Sequence, residues 1–281
     1  MELTNPKVIR EIMNKSGLKF NKALGQNFLT DGEVLRKIIE GAELSSEMLV
    51  IEIGPGIGSL TAALAGVAGK VVAVEMDKKL VGVLKKSFAV YDNVEIVESD
   101  IMKYDLKGLI AREGRPAAVV ANLPYYITTP IIMRLLEEEL DIKSITVMVQ
   151  KEVADRIVAE PTGKEYGALT VAVQYYSVPE IICNVPSTAF IPPPKVDSAV
   201  VHMKVRAEKE VTIDKKKLFK VVKAAFSQRR KTLLNALYGS NEFGSKEEIR
   251  SALEKCGLDE KIRGERLSIA QFAALSEILI V

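Results

Sequence analysis

The chain has 281 residues, of which 48% are hydrophobic and 27% are charged, and its formal net charge is +2. These values predict a globular protein with one large domain, or with one large and one small domain. No apolar run approaches the ~20 residues of a membrane span, so we expect none. The N-terminus lacks the apolar region of a signal peptide. We therefore expect a cytoplasmic protein without a membrane partner.

The cysteine and histidine content argues against a metal site. The chain has two distant cysteines, Cys183 and Cys256, and one histidine, His202. A structural zinc site needs about four such ligands close together, so we predict no metal. Unpaired, distant cysteines suit a reducing compartment. His202 lies between Val201 and Met203 in a strand-like run, which favours a structural over a catalytic role.

The charge is distributed unevenly along the chain. Residues 206–281 hold 16 basic and 11 acidic side chains, a net charge of +5, and the rest of the chain has a net charge of −3. A basic C-terminal segment is typical of a polyanionic partner. The alternative is an ordinary solvated helical surface.

Two helices and an intervening loop are predicted first. Residues 5–16 have apolar positions at helical spacing with Asn5 as the cap, and Asp31 caps a second helix that continues to about Glu40. Residues 19–29 show no sustained periodicity, and we interpret them as an ordered loop over a ligand rather than a flexible connector. The buried-type residues that support this interpretation are Leu24, Phe28 and Leu29.

A glycine-rich loop follows the first predicted strand. The strand Met48–Ile53 leads into Gly-Pro-Gly-Ile-Gly at residues 54–58, and a helix begins near Gly58. The next strand, Lys70–Val74, ends in Glu75, whose carboxylate can accept hydrogen bonds from both hydroxyls of a ribose. Strand, loop, helix, strand and terminal Glu together indicate a nucleoside site.

The spacing of these glycines excludes the dinucleotide fingerprint Gly-x-Gly-x-x-Gly. The last glycine of that pattern is replaced by Ser59 when counted from Gly54, and by Thr61 when counted from Gly56. The motif is instead Gly-x-Gly-x-Gly preceded by Glu52, which resembles the first motif of S-adenosylmethionine-dependent methyltransferases. Their ligand has no pyrophosphate and does not require the phosphate-binding glycine.

Two further strands also end in polar residues. The strand at 94–97 leads to Asp100, which can accept a hydrogen bond from an adenine amino group, and the strand at 117–121 leads to Asn122. In a doubly wound sheet, ligands bind at the carboxyl edge of the strands. Glu75, Asp100 and Asn122 are therefore predicted to share one site of an α/β, Rossmann-like sheet.

The run Asn-Leu-Pro-Tyr at residues 122–125 suits a planar, nitrogen-bearing ring. The side-chain oxygen of Asn122 and the carbonyl of Leu123 could both accept from one amino group, while Tyr125 stacks on the ring. Pro124 holds Leu123 extended. An ordinary proline turn after a strand is the alternative interpretation.

Helices at 129–136 and 150–158 and a strand at 145–149 come next. Leu169–Tyr176 and Val196–Val205 are β-type runs that we predict to form a hairpin finishing the sheet. The proline-rich stretch 190–198 between them is interpreted as a rigid loop that presents Phe190 to the pocket, with a stiff linker as the alternative.

From about Arg206 the pattern becomes helical. The predicted helices are Lys215–Phe226, Arg229–Leu237, Lys246–Cys256 and Ser268–Leu279. We therefore predict two domains, a large α/β domain at residues 1–205 that carries the methyltransferase-like motif and a small all-helical domain at residues 206–281.

With these motifs the chain resembles the KsgA-type ribosomal RNA adenine dimethyltransferases from end to end. The matching segments are residues 26–29, 52–58, Glu75, Asp100, 122–125 and 190–198. The Pro-Lys-Val-Asp-Ser run at 194–198 and the basic run at 228–233 are the most specific to this group. Related resistance methyltransferases, which act on large-subunit RNA, share the cofactor motifs but are less expected to carry Pro-Pro-Lys-Val-Asp-Ser.

The resemblance implies S-adenosylmethionine as cofactor and dimethylation of N6 on two adjacent adenosines in the 3′-terminal hairpin of small-subunit rRNA, free or in the 30S particle. We also expect a monomer. The implied cofactor contacts are Asn27, Leu29, Gly54, Glu75, Asp100 and Asn122. The catalytic residues would be Asn122, Leu123, Pro124 and Tyr125, and the RNA contacts would be Phe190, Arg229, Arg230 and Lys231. The resemblance also implies that residues 1–205 are the S-adenosylmethionine-binding methyltransferase domain and that residues 206–281 are a helical RNA-recognition domain.

Three alternatives stay open at the level of sequence: a macrolide-resistance type methyltransferase of large-subunit rRNA, a non-catalytic ribosome assembly factor, and a DNA or protein methyltransferase. The intact Glu75, Asp100 and 122–125 run argue against a vestigial fold.

Overall fold

A computed structural model of the chain describes residues 3–17 and 25–280, so the prediction for residues 19–24 of the loop lies outside the described residues. The chain divides into two compact units. The first comprises Met1–Ala154 and Pro179–Val205, and the second comprises Asp155–Val178 and Arg206–Val281. The predicted division after residue 205 coincides with one of these boundaries, but residues 155–178 group with the helical segment.

Each of the first six β-strands in the chain is followed by an α-helix, and two helices follow the sixth strand in succession. The strands are β1 (Phe28–Leu29), β2 (Leu49–Ile53), β3 (Lys70–Glu75), β4 (Val94–Glu98), β5 (Ala117–Asn122), β6 (Ile142–Gln150), β7 (Ser177–Val185), β8 (Phe190–Ile191) and β9 (Ser198–Val205). The helices up to β7 are α1 (Pro6–Lys15), α2 (Gly32–Gly41), α3 (Ser59–Ala65), α4 (Lys78–Ser87), α5 (Leu106–Glu113), α6 (Thr128–Glu137), α7 (Lys151–Ile157) and α8 (Ala168–Tyr176).

Seven strands form one twisted sheet in the order β4-β3-β2-β5-β6-β9-β7, and the first five of these are parallel. Strand β9 runs antiparallel to β6, with Gln150 opposite Ser198. Every residue of β2 is buried, as expected for a central parallel strand that is covered by helices on both faces. The prediction of a Rossmann-like, doubly wound α/β fold is confirmed.

The register of this sheet determines where the site lies. Ile53 at the end of β2 is level with Val74 in β3 and with Ala121 in β5. Each of these strands therefore delivers its next residues to the same edge. Glu75 is the last residue of β3, Asn122 is the last residue of β5, and the glycine motif forms the loop after β2, so the register brings these predicted site residues together.

The helix caps that the sequence predicts are present. Asn5 caps α1 by accepting a hydrogen bond from the Lys7 N–H at 3.0 Å. The Asp31 Oδ1 atom caps α2 by accepting from the amides of Glu33 and Val34 at 2.9 and 3.1 Å. Each cap satisfies amide donors that have no partner within the helix.

The prediction of a strand at Leu169–Tyr176 is wrong, because this run is helix α8. Seven of its nine residues are buried, and a helix that is apolar on all sides shows no periodicity that would separate it from a buried strand. The Thr170 hydroxyl accepts from the Gly167 amide at 3.0 Å and so closes the start of the helix. The strand next to β9 is β7, which the sequence analysis missed.

The second unit is helical after residue 206. Its helices are α9 (Lys215–Ser227), α10 (Leu233–Tyr238), α11 (Lys246–Lys255) and α12 (Ile269–Leu279), and α9 contacts α8, α10 and α12. Phe226 links this core, with its ring 6.0 Å from Tyr166 and 5.9 Å from Phe272. No helix within residues 3–17 and 25–280 is both long and apolar enough to span a bilayer.

The predicted helix Arg229–Leu237 begins four residues later, at Leu233. Thr232 is extended and its hydroxyl accepts from the Asn235 amide, so it is the cap at which the helix starts. Residues 229–231 consequently form an exposed turn before α10, which we call the basic turn.

Candidate active site

A cavity of about 1130 Å³, including its open mouth, lies at the carboxyl end of β2, β3 and β5. We call it the strand-end cavity. The residues predicted to bind cofactor or to act on the substrate all line it: Asn27, Leu29, Gly54, Glu75, Asp100, Asn122, Leu123, Pro124 and Tyr125. The structure therefore brings the predicted cofactor contacts and the predicted catalytic run into one cavity, although Asn27 and Tyr125 are 98 positions apart in the chain.

Two glycines of the loop at residues 54–58 are required for different reasons. Gly58 has φ 93°, and a Cβ there would lie 2.4 Å from the Phe88 ring, so only glycine fits between this ring and the start of α3. Gly54 has φ 67° and nothing within 4 Å of a Cβ position. The loop backbone is therefore left open to the strand-end cavity at Gly54.

Glu75 is held in place by backbone donors at the end of β3. Its side chain is 6% exposed, and Oε1 accepts a hydrogen bond from the Asp77 N–H at 2.8 Å. Burial raises the pKa of the Glu75 carboxyl, while the amides of Asp77, Gly56 and Met76 act in the opposite direction. A fixed carboxylate of this kind is suited to accept from two neighbouring ribose hydroxyls.

Asp100 lies two residues beyond the end of β4. Its Oδ1 accepts from the Met102 N–H at 2.9 Å, which fixes the orientation of a half-buried carboxylate at the cavity wall. The group can accept a further hydrogen bond, because an ionised carboxylate has about four lone-pair sites.

The Asn122 side chain joins β5 to the segment that precedes β1. Its Nδ2 donates to the Asn27 carbonyl at 3.1 Å, and the Asn27 side chain in turn donates to the Gly25 carbonyl at 3.1 Å. Because the amide nitrogen of Asn122 is engaged, its Oδ1 is the atom presented as an acceptor. Leu123 is 1% exposed and is fixed by its amide, which donates to the Met148 carbonyl at 3.1 Å.

Tyr125 opens a short 3₁₀ turn and is anchored by its hydroxyl. The Tyr125 hydroxyl lies 2.6 Å from Ser198 Oγ, and Ser198 is fully buried at the start of β9. Burial raises the pKa of Tyr125, and the hydrogen bond with Ser198 partly offsets this effect. The ring is therefore held at the cavity wall in a fixed orientation and in its neutral form.

Ser198 contributes to the site through Tyr125, a role that the Pro-Lys-Val-Asp-Ser motif does not predict. Its neighbour Asp197 accepts from the Ser187 amide through Oδ1 at 2.8 Å and from the Lys151 amide through its carbonyl at 3.0 Å. The Pro-Lys-Val-Asp-Ser run thus ties the end of β6 to the start of β9 and positions Tyr125. The spacing of the motif contains no signal for this contact.

The structure places Phe190 in the core instead of the cavity wall. Its side chain is 4% exposed and packs in a cluster with Leu29, Val34 and Val200. Phe190 is also level with Leu29 in the two-stranded ladder of β8 and β1. The sequence predicts that this ring faces the pocket, and the structure differs. The ring packs behind β1, the strand that carries Leu29, and so supports the cavity wall from the core.

The basic turn divides into two kinds of residue. Arg229 Nη2 donates to the carbonyls of Lys164 and Tyr166 at 2.7 and 3.0 Å, so its guanidinium is engaged by the helical unit itself. Arg230 and Lys231 are exposed. Their roles as RNA contacts stay a prediction.

The cavity fits S-adenosylmethionine by the chemistry of its lining. Among the described residues that line it, three are carboxylic acids, Glu52, Glu75 and Asp100, and none is Lys, Arg or His. Such a lining repels phosphate groups and favours a ligand with positive charge and no phosphate. S-adenosylmethionine has no phosphate, its sulfonium and amino group outweigh its single carboxylate, and its adenosine has free ribose hydroxyls.

Comparison with known proteins agrees with this site. The ribosomal RNA adenine dimethylase family matches residues 17–280. The chain is 48% identical to a ribosomal RNA small subunit methyltransferase A of Alkaliphilus metalliredigens, over 98% of this chain and 97% of the relative. It is 49% identical to the protein of that name in Geobacillus thermodenitrificans, over 99% and 97% of the two chains.

Solved structures agree with the family at the level of the fold. A dimethyladenosine transferase from Plasmodium falciparum superposes with a TM-score of 0.76 at 30% identity, covering 88% of this chain and 95% of that one. The 23S rRNA methyltransferase ErmE superposes with a TM-score of 0.69 at 27% identity, covering 90% and 99%. The match over residues 17–280, together with the cavity and its lining, shows that the chain belongs to the ribosomal RNA adenine dimethylase family, whose members are S-adenosylmethionine-dependent methyltransferases.

Proposed function

We propose that this protein transfers methyl groups from S-adenosylmethionine to N6 of two adjacent adenosines in the 3′-terminal hairpin of small-subunit rRNA. The observation that carries the proposal is the meeting of Glu75 and Asp100 with the run Asn122–Tyr125 at one edge of the sheet. The relatives at 48% and 49% identity, which are named small subunit methyltransferases, support this choice of rRNA.

The chemical problem is the weak nucleophilicity of the adenine amino group, whose lone pair is delocalised into the ring. The cofactor, when bound, supplies an electrophilic methyl group on a sulfonium. The Asn122 Oδ1 atom and the Leu123 carbonyl each accept a hydrogen bond from one N–H of the amino group. These two hydrogen bonds localise the nitrogen lone pair for attack on the methyl group. This is positioning and electrostatic stabilisation of the transition state.

No strong base is needed for this reaction. The methylated amino group is a cation that loses its proton readily, so the residues have only to hold the nucleophile in place. The anchored Tyr125 ring stacks on the adenine, which has left its own base stack to reach the cavity. In this proposal Tyr125 therefore governs capture of the base, and Asn122 governs the rate of transfer.

In the proposal the helical unit holds the RNA backbone. Residues 206–281 have a net charge of +5, and exposed cations such as Arg230 and Lys231 would displace counterions from the phosphates. The proposed substrate is the rRNA in the 30S subunit or its precursor. The proposed enzyme acts as a monomer in the cytoplasm.

A methyl-transfer assay with labelled cofactor tests the proposal. Small subunits from a strain that lacks the two dimethyladenosines, free small-subunit rRNA and large subunits would be offered in parallel. We expect label on the adjacent adenosines of the small subunit, and labelling by the Asn122→Ala variant should be slower by about 10²-fold or more. Label confined to large-subunit RNA would favour a 23S rRNA methyltransferase, the activity for which ErmE is named. No label on any RNA would favour a non-catalytic assembly factor.

A further inference from the structure

Glu52 is a buried acid that has no role in the mechanism above. It lies in the middle of the sheet on β2, level with Ala73 in β3 and Val120 in β5, and is 1% exposed. Its Oε2 atom has no hydrogen-bond partner among the described residues, yet the side chain lines the strand-end cavity. An unpartnered carboxylate in such a position is costly unless it is neutral or meets a cation.

The surroundings of Glu52 determine its pKa. Burial is the largest effect and disfavours the carboxylate, and the Glu75 carboxylate on β3 repels it further, while the Thr61 hydroxyl on α3 acts in the opposite direction. The net result raises the pKa of Glu52 to about 8. Asp100 is the third acid of the cavity, and no basic side chain is present among its described lining residues.

The ligand of this cavity brings the missing positive charge. S-adenosylmethionine carries a sulfonium that cannot lose its charge by deprotonation, and a cation near a buried carboxyl favours its ionised form. We propose that Glu52 is protonated in the protein without cofactor and that it loses this proton to solvent when S-adenosylmethionine binds. The Glu52 O–H bond breaks, the proton passes to the buffer, and the carboxylate stays as a counter-charge in the cavity.

This inference rests on the assignment of the cavity to the cofactor, and it makes binding dependent on pH. Below a pH of about 8, binding must remove a proton, so affinity should rise with pH by up to about tenfold per pH unit. At higher pH Glu52 is ionised beforehand and contributes no further dependence. The same carboxyl would therefore couple cofactor capture to the protonation state of the cavity.

Calorimetric titration of the full chain with S-adenosylmethionine measures the released proton directly. Titrations at about pH 7 in phosphate and in Tris, whose ionisation enthalpies differ, give the number of protons exchanged. We expect the wild type to release about one proton more than Glu52→Gln, which mimics the neutral acid. The matched control Glu98→Gln alters the exposed acid that is level with Glu75 on β4, and it should leave the wild-type count unchanged.

The outcomes are distinct. Equal proton counts in wild type and Glu52→Gln, with both proteins binding, would overturn the inference and leave the cofactor assignment intact. Absence of binding by the wild type would overturn both. If Glu52→Gln does not fold, infrared difference spectroscopy of the wild type decides: the protonated-carboxyl band should disappear on cofactor addition, and no change in that band contradicts the proposal.

Discussion

The strand-end cavity and the basic turn hold their polar side chains in different ways. In the cavity, Glu75 is 6% exposed and fixed by the Asp77 amide, and Asn122 is fixed by the Asn27 carbonyl. In the basic turn, Arg230 and Lys231 extend into solvent from a non-helical segment. One region is preorganised by hydrogen bonds to the backbone, and the other presents its charge to solvent.

This difference teaches what each region can contribute. A preorganised acceptor in the cavity wall acts on one atom of one ligand, and its removal has a large and local effect. An exposed cation acts on any nearby phosphate, and its removal has a small effect that depends on salt. Mutations in the two regions should therefore differ in the size of their effect and in the step they change.

The largest effect is expected from Asn122→Ala. The substitution removes the acceptor for the attacking amino group, so the rate of methyl transfer should fall by about 10²–10³-fold, as for other preorganised transition-state contacts. Single-turnover methylation at saturating cofactor and RNA measures this rate. Cofactor affinity should also fall somewhat, because the hydrogen bond to the Asn27 carbonyl is removed.

Asn93→Ala is a suitable control for that measurement. Asn93 also donates from its side chain to backbone carbonyls, those of Ala65 and Ala68, but it lies outside the residues that line the cavity. Its substitution should leave the single-turnover rate within a few-fold of wild type. A comparable decrease in both variants would show that the effect of Asn122 is structural and would break the contrast between the two regions.

The next effect is on cofactor affinity, through Glu75→Ala. Each charge-assisted hydrogen bond to the ribose contributes about 1.5–3 kcal/mol, so affinity should fall by roughly 10- to 150-fold for each bond removed. Calorimetry gives this value, and Glu98→Ala, on the neighbouring strand at the same level, is the matched control. Unchanged affinity in a folded Glu75→Ala protein would show that this carboxylate does not bind the ribose.

Substitutions of Tyr125 separate the role of its ring, which stacks on the base in the proposal, from the role of its hydroxyl, which is hydrogen-bonded to Ser198. Tyr125→Ala removes stacking of about 1–3 kcal/mol per base and should weaken productive capture of the adenosine. Tyr125→Phe keeps the ring and removes only the hydrogen bond to Ser198, so it should stay close to wild type. Single-turnover methylation over a range of RNA concentrations measures this capture.

Ser198→Ala removes the same hydrogen bond from the other side and is the natural comparison. It should match Tyr125→Phe in methylation, and each variant should lose about 1–3 kcal/mol of stability because it leaves the other hydroxyl without its partner. If Tyr125→Phe were as damaged as Tyr125→Ala in single-turnover methylation, the hydroxyl and not the ring would matter, and the stacking argument would be wrong.

Much of the cavity can be predicted from the sequence, because its residues follow strands. Buried parallel strands appear as short apolar runs, and polar residues directly after them must lie at one edge of the sheet. For this reason the sequence is sufficient to bring Gly54, Glu75, Asp100 and Asn122 together. The caps Asn5 and Asp31 are equally readable, because capping is a local interaction between neighbouring residues.

The rest depends on interactions that no local pattern encodes. Helix α8 carries β-branched and aromatic residues that favour a strand, and burial on all sides removes the periodicity that would identify it. Phe190 begins a proline-rich run but packs with Leu29, 161 positions away. The bond from Tyr125 to Ser198 and the burial of Glu52 in the middle of the sheet are likewise products of the tertiary fold.

The smallest effect is expected in the basic turn, and it separates two arginines that look alike in sequence. Replacing Arg230 and Lys231 together with Gln should reduce the slope of log affinity against log salt by about 0.7–0.9 for each phosphate that is no longer neutralised. Arg229→Gln should instead lower the thermal stability of the protein, because its guanidinium donates to the carbonyls of Lys164 and Tyr166. RNA binding measured over a range of salt concentrations, with melting curves for each variant, distinguishes the two. A salt slope unchanged by the double substitution would mean that these exposed cations do not meet phosphate, and that the RNA-binding surface of the helical unit lies among its other basic residues.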